Sequence, residues 1–287
     1  MALKYHHSSR GQIAYEKRGL GDPLLLVHSV HAGASHHEFD HNIQELARKF
    51  TVYAIDLMGF GESAMPRMTY TAQFYHHLLR DFVVEVIGEP ANLVGSGESA
   101  GFVVAMAVYN DELVRKIVLI DPHLDPIRDH ELGFPLANKV QQFLLGTLAM
   151  GKGLYDTLSS TFEVKRYLLT RFANPSRHIS DTLIQDIHER ASQPHALYAF
   201  VSNMTGHLSV DIPLWIRHVR APVLVIWGEH AGPVPSERLL RPAAWSRGKR
   251  IEVIPGAAHW PHDEQSAKVN RLIEEFLEDQ VAVAAAV

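Results

Sequence analysis

Apolar runs and amphipathic stretches alternate along most of the chain. Gln12 to Arg18 reads as a strand, closed by a turn at Gly19, Gly21 and Asp22. Pro23 to Val27 is a short unbroken apolar run, as expected for a strand buried on both faces of a sheet. Phe39 to Lys49 has helical spacing, with Phe39, Ile43, Leu46 and Ala47 on one side. Thr51 to Ile55 predicts another buried strand, followed by the glycine-rich turn from Asp56 to Ser63. Ala72 to Ile87 predicts an amphipathic helix that Gly88 and Pro90 end. Further strands are expected at Asn92 to Val94, Lys116 to Ile120, Pro222 to Trp227 and Arg250 to Ile254, with a closing helix from about Ser266 to Val281. This alternation implies a mostly parallel sheet with helices on both faces.

Between Asp121 and about Arg220 the alternation stops. Helical segments near Leu136 to Met150, Gly153 to Ser159, Phe162 to Phe172, Ser180 to Ser192 and His195 to Asn203 follow one another without a strand signal. An all-helical block between two parallel strands reads as a cap over the strand ends. Most of its apolar side chains pack the cap itself, and the remainder line an apolar chamber for a small hydrophobic ligand.

Composition narrows the class. The 287 residues are 46% hydrophobic and 21% charged, which suits a soluble α/β core with an insertion. A net charge of −5 gives no footprint for nucleic acid or a membrane surface. The absence of cysteine excludes disulfides, thiolate metal sites and a cysteine nucleophile. The N-terminus lacks the apolar core of a signal peptide, so a cytoplasmic protein is expected. A homodimer through cap helices is compatible with the pattern.

The chemistry centres on Gly95-Ser96-Gly97-Glu98-Ser99-Ala100-Gly101. As a pattern, Gly97 to Gly101 matches G-x-S-x-G, the sharp strand-to-helix turn that exposes a reactive serine. The register points elsewhere. Leu93 and Val94 end the apolar run, so Gly95 is the first small residue and Gly97 falls at the apex. Were Ser99 the apex, Gly95 and Ser96 would be the last buried strand positions, where Val or Leu is expected. Gly97 is therefore read as an apex without a nucleophile, with Ser99 at the apex as the competing register.

These landmarks together resemble the α/β-hydrolase superfamily. They run from Leu24-Leu25-Leu26-Val27-His28 through the Asp56 to Ser63 turn and the elbow to Pro222–Glu229 and Pro255-Gly256-Ala257-Ala258-His259, covering nearly the whole chain. The resemblance implies an α/β fold with a mostly parallel sheet of about eight strands. The core would comprise residues 1–121 and 218–287, and the helical cap residues 122–217. It further implies that His259 is the catalytic base. The usual acid position aligns with Ala231, which cannot orient an imidazole. Some relatives carry the acid one strand earlier, and of Asp121, Asp125 and Asp129 we take Asp125 as the displaced partner. Glu98 is a third carboxylate at the pocket mouth. Backbone N–H groups of Val30 and Glu98 would form the oxyanion hole. His28, Ser29, His31 and Trp260 are expected around the substrate.

The chain holds 19 histidines, and His36-His37 with His41, His76-His77, and His259 with His262 raise the question of a metal. Without a ligand motif, they are read as surface or capping histidines, and no metal or cofactor is expected. Three functions compete. A non-hydrolytic enzyme would use His259 and the anion cradle for C–C bond chemistry, elimination or cyclisation of an aromatic or polyketide-like molecule. An ester or amide hydrolase would use Ser99, Asp125 and His259, and it needs the shifted elbow. A binding protein would keep the chamber without chemistry. The elbow register and Ala231 favour the first, and retention of His259 counts against the third.

Overall fold

The computed structural model describes residues 3–124, 148–232 and 249–279. The expected segment Leu136 to Met150 falls mostly outside them, as do Asp125, Asp129 and the tail from Val281. Eight strands form one sheet: β1 (Lys4–Ser8), β2 (Gly11–Arg18), β3 (Asp22–Val27), β4 (Phe50–Ile55), β5 (Ala91–Ser96), β6 (Val114–Ile120), β7 (Val223–Gly228) and β8 (Lys249–Ile254). Their spatial order is β1-β2-β4-β3-β5-β6-β7-β8. The β1–β2 and β2–β4 pairs are antiparallel, and β4 through β8 run parallel.

The period of two along each central strand divides the core. Leu25, Val27, Leu93, Ile117, Leu119, Val223 and Val225 face one apolar cluster. Their neighbours Leu24, Leu26, Val94, Val118, Ile120, Leu224 and Ile226 face the other. Helix α1 (Asp40–Leu46) lies on the second face, and α2 (Ala72–Phe82) and α3 (Ser99–Tyr109) cover the first. Between β6 and β7 the described residues carry helices and no strand: α4 (Leu148–Leu158), α5 (Thr161–Arg171), α6 (Pro175–His178), α7 (Asp181–Ala191), α8 (Leu197–Met204) and α9 (Ile212–Trp215). After β8 come α10 (Pro261–Glu264) and α11 (Ser266–Glu278), the latter packing Val269, Ile273 and Phe276 onto the second face.

Three local readings change. The helix expected from Phe39 begins as a 3-10 turn, His36–Phe39, before α1. The helix from Ala72 ends in a π turn, Val83–Ile87, which Gly88 closes at φ +80° with its N–H on the Val83 carbonyl. Strand β1 was not anticipated, because Lys4–Ser8 is a half-exposed polar edge without an apolar alternation to read.

The loops at the carboxyl ends of β3 and β4 are fixed by one buried carboxylate. Asp56 Oδ1 accepts the backbone N–H of His36 at 2.7 Å and lies 2.8 Å from His36 Nδ1. Its Oδ2 accepts the Glu62 N–H at 2.9 Å. Burial alone would raise the Asp56 carboxyl, yet the His36 contact and the other donors hold it below its usual value. Gly61 has φ +50°, and a Cβ there would overlap that carboxylate. Gly61→Ala is therefore expected to destabilise the fold by about 2–4 kcal/mol, combining overpacking with a positive φ. A urea unfolding midpoint unchanged from wild type would contradict this account.

Candidate active site

The turn after β5 is built on Gly97. Its φ is +55°, and Glu98 and Ser99 already lead into α3. The sequence around it consists of small residues because α3 packs back closely on the strand. A Cβ on Gly95 would come within 2.9 Å of the Ala100 Cα, and one on Gly101 within 2.8 Å of the Val210 Cβ. Ser99 is fully buried, and its hydroxyl donates to the His28 carbonyl at 2.5 Å. That places the hydroxyl inside the packing of the first helical turn.

Parallel pairing brings the next group alongside. Ser96 pairs with Ile120, and the Gly97 N–H donates to the Ile120 carbonyl at 2.9 Å. Asp121, the residue after Ile120, thus stands beside the turn apex at one strand spacing, about 4.8 Å. Its φ is +43°, a left-handed conformation that aspartate tolerates better than most residues. Asp121 Oδ2 lies 2.7 Å from His259 Nδ1. Burial pushes the Asp121 carboxyl up, and the His259 hydrogen bond opposes that rise. Asp125 was the expected partner of His259; the carboxylate that meets the imidazole is Asp121, for it follows the strand directly. Asp125 lies outside the described residues. Ala231, in the turn just after β7, is buried and has no polar side chain.

His259 is positioned from two sides. Its N–H donates to the Arg171 carbonyl at the end of α5, 3.0 Å away. Glu264 accepts from the N–H of Ala258 at 2.6 Å and, through its other oxygen, from the N–H of Ala173 at 2.5 Å. Nothing in the sequence marked Glu264 for this, since its partners are backbone groups and one of them, Ala173, lies in a distant segment.

The loop after β3 departs from its expected use. His28 is fully buried; its Nδ1 donates to the Ser29 carbonyl at 2.7 Å, and its Nε2 accepts the Leu57 N–H at 3.0 Å. It was expected to face a ligand, but both ring nitrogens are committed to backbone. Ser29 gives both its N–H and its hydroxyl to Glu38 Oε2, at 2.8 and 2.6 Å. Glu38 Oε1 lies 3.2 Å from His262 Nε2 in a pair that solvent barely reaches. Burial would raise the Glu38 carboxyl, yet His262, His31 and Ser29 bring it down to about 2. The Val30 N–H, expected to be an open oxyanion donor, is occupied: Glu98 Oε2 accepts from it at 3.3 Å. Glu98 Oε1 lies 3.4 Å from His123 Nδ1 and 3.5 Å from Asn203 Nδ2. The Glu98 N–H sits at the start of α3, where helical N–H groups lack intrahelical acceptors.

His31 and Trp260 form a wall with Tyr167 of α5. The His31 ring lies 5.2 Å from Tyr167 and 5.5 Å from Trp260, measured between centroids. Behind His31 a cavity of about 500 Å³ is lined by Val164, Tyr167, Ile187 and Phe200 among others. A more polar cavity of about 280 Å³ lies on the Trp260 side of His31, with Arg177, Arg190 and Asp263 in its walls. The histidines are less peripheral than a surface reading implies, because His36, His76 and His262 are buried. No group of three or more metal-ligating side chains occurs among the described residues. Nor is any described helix long and apolar enough to cross a membrane.

Comparison with known proteins agrees with this architecture. A family model described as the alpha/beta hydrolase family matches residues 24–272. The 2-hydroxy-6-oxo-6-(2'-aminophenyl)hexa-2,4-dienoic acid hydrolase of Metapseudomonas resinovorans is 28% identical over 253 residues, covering 86% of this chain and 80% of the relative. The 2-hydroxymuconate semialdehyde hydrolase of Pseudomonas sp. strain CF600 is 26% identical over 277 residues, 93% of this chain and 90% of the relative. Among solved structures, a serine hydrolase involved in carbazole degradation (the CarC enzyme) superposes with a TM-score of 0.78 at 21% identity, covering 96% of this chain and 98% of that one.

The histidine at the cavity wall carries a pH expectation. Burial drives the His31 imidazole down to about 4, whereas in the unfolded chain it titrates near 6.5. Between those values only the unfolded chain takes up the proton, so stability is full above pH 6.5 and falls as the pH drops toward 4. Glu38 extends the loss from about 4.5 down to about 2. His31→Phe should remove up to about 3 kcal/mol of the acid-side loss between pH 6.5 and 4. Urea midpoints at pH 7.5, 5.5 and 4.5 measure it, and an unaltered pH slope in the variant would rule the assignment out.

Proposed function

Within the α/β hydrolase family, to which this chain belongs, we propose that the protein is an enzyme that moves protons on a small hydrophobic, carbonyl-bearing molecule without forming an acyl-enzyme. The observation that carries the reading is the bare turn apex: Gly97 at φ +55°, with the Ser99 hydroxyl spent on the His28 carbonyl. The roles follow from the hydrogen bonds. Asp121 accepts from His259 Nδ1, which leaves Nε2 as the basic nitrogen. When Nε2 takes a proton from carbon next to a carbonyl, Asp121 stabilises the imidazolium and the electron pair moves onto the carbonyl oxygen.

That oxygen needs donors. The N–H groups of Val30 and Glu98 are the nearest backbone candidates, as the loop and helix start imply. For an oxyanion to reach Val30, the Glu98 carboxylate has to leave it, and His123 and Asn203 at 3.4 and 3.5 Å offer the alternative partners. The enolate so formed supports C–C bond formation or cleavage, elimination or cyclisation. The names of two relatives carry a hydroxy-oxo-dienoic acid and a semialdehyde, which supports a carbonyl compound here. The cavity of about 500 Å³ that His31 helps to line, though His259 and Asp121 do not, has the size for an aromatic or polyketide-like body. A hydrolase acting through Ser99 is disfavoured by the complete burial of that residue. A purely binding role leaves the Asp121–His259 pair without a purpose.

The test begins with a panel of aryl ketones and hydroxy-oxo acids in D2O, scored by deuterium uptake at carbon. With a compound that exchanges, His259→Ala should lower the rate by about two to four orders of magnitude and leave binding nearly unchanged. Asp121→Asn should act in the same direction, and Ser99→Ala should have a much smaller effect. A fluorophosphonate should leave the wild-type protein unlabelled. Labelling at Ser99, with equal and severe losses in Ser99→Ala and His259→Ala, would return the chain to the serine hydrolases.

A further inference from the structure

Two successive backbone donors after β3 are each closed by a carboxylate. The Ser29 N–H donates to Glu38 Oε2 at 2.8 Å, and the Val30 N–H to Glu98 Oε2 at 3.3 Å. Asp121 stands beside Gly97, the residue before Glu98, so a third carboxylate emerges at the same strand ends. The three are held differently. Glu38 meets the Ser29 hydroxyl at 2.6 Å and Asp121 meets His259 at 2.7 Å, and their side chains are 2% and 7% exposed. Glu98 reaches Val30, His123 and Asn203 at 3.3, 3.4 and 3.5 Å, and its side chain is 19% exposed. It is the carboxylate that solvent reaches and that an incoming ligand can displace. We propose that Glu98 selects the charge of the ligand, so that the site takes an uncharged carbonyl compound and rejects carboxylates.

Selection of this kind rests on the reading that a carbonyl oxygen takes over the Val30 N–H. An uncharged ligand then displaces one long hydrogen bond, and Glu98 keeps His123 and Asn203 as partners. When His259 takes a proton, imidazolium and enolate appear together, and the net charge of the site does not change. A carboxylate instead adds a negative charge beside one that is fixed at the start of α3. Compensation for it is small. Among the described residues no lysine or arginine pairs with Glu38, Glu98 or Asp121; each is met by a histidine. Burial drives the His31 imidazole down to about 4, so at neutral pH it brings no positive charge. Burial also pushes the Tyr167 phenol up. Arg171, whose guanidinium carbon lies 4.8 Å from that ring centroid, opposes the rise, while Glu98, Glu38 and Asp121 add to it. One hydroxyl of the wall thus feels three carboxylates against a single guanidinium. Repulsion of the wrong ligand is as effective a source of specificity as attraction of the right one.

The experiment compares phenylpyruvamide with phenylpyruvate, which match in shape and differ in charge. Affinities are measured at pH 7.5 by ligand-observed NMR, and deuterium uptake at carbon 3 is followed in the same samples. The wild type should bind the amide at least about tenfold more tightly than the acid. Glu98→Gln keeps an oxygen for the Val30 N–H and loses the charge. It should tighten phenylpyruvate by about tenfold and leave the amide within about twofold. Glu98→Ala, which asks for no hydrogen-bond partner, should shift the preference the same way, with the Tm confirming that each variant is folded. Equal affinities in the wild type, or a gap that persists in the folded variants, would overturn the selection. Failure of the wild type to bind the amide would overturn it as well. An amide that binds selectively, through Glu98, yet takes up no deuterium above the uncatalysed rate would uphold the selection and sink the proton-transfer reading alone.

Discussion

The β5–β6 register is the constraint from which the site follows. Because Ser96 faces Ile120, the next residue of each strand leaves the sheet at the same height, so Gly97 and Asp121 emerge side by side. The Gly97 N–H to Ile120 carbonyl bond locks that adjacency. Both residues have positive φ, +55° and +43°, as the chain turns sharply off the sheet twice within one strand spacing. A slip of one residue would exchange the two faces of β6 and bury Asp121 in the core. Ile117, Val118, Leu119 and Ile120 alternate between two packed clusters, so such a slip would disturb the packing on both faces. Core packing therefore determines where the carboxylate and its histidine stand.

Around that point the protein buries negative charge. Asp56, Glu38 and Asp121 are all shielded from solvent, and each is met by a histidine: His36, His262 and His259. Their chemistry differs with the remaining donors. Asp56 and Glu38 also receive N–H or O–H groups, which hold their carboxyls below the usual range. Asp121 Oδ1 has no hydrogen-bond partner among the described residues, and its carboxyl is pushed up. The first two are structural anchors of loops, with their protons settled by geometry. Asp121 is the one of the three whose bond to its histidine does not offset its burial.

Most of the fold was legible because strands buried on both faces leave an unmistakable apolar run. Pro23 to Val27, Thr51 to Ile55, Lys116 to Ile120 and Pro222 to Trp227 each fall within a residue or two of an observed strand. The polar edge strand β1 was not, since an edge needs no apolar signature. For the site, the same strand ends located the Gly97 turn, because the point where an apolar run stops is a local property. Partners that depend on three-dimensional approach were illegible. Asp121 directly follows the apolar run and Asp125 does not, yet only the fold shows which carboxylate meets His259. The bonds of His28 to Ser29 and Leu57, and of Glu98 to Val30, bring together backbone groups whose spacing carries no pattern.

His259 is held as much by the helical insertion as by the sheet. His259 is tied to Asp121 by its ring and to the Arg171 carbonyl by its N–H. Glu264 joins the residue before it, Ala258, to Ala173 just beyond α5. Helix α5 also supplies Val164 and Tyr167 to the cavity wall, and Trp260, next to His259, packs edge-on to Phe172. A shift of α5 therefore acts on the backbone carrying the imidazole. Since a hydrogen bond weakens steeply with distance and angle, a small displacement of α5 changes how well Asp121 holds the ring. The bonds at Arg171 and Glu264 therefore couple the position of α5 to that of the imidazole.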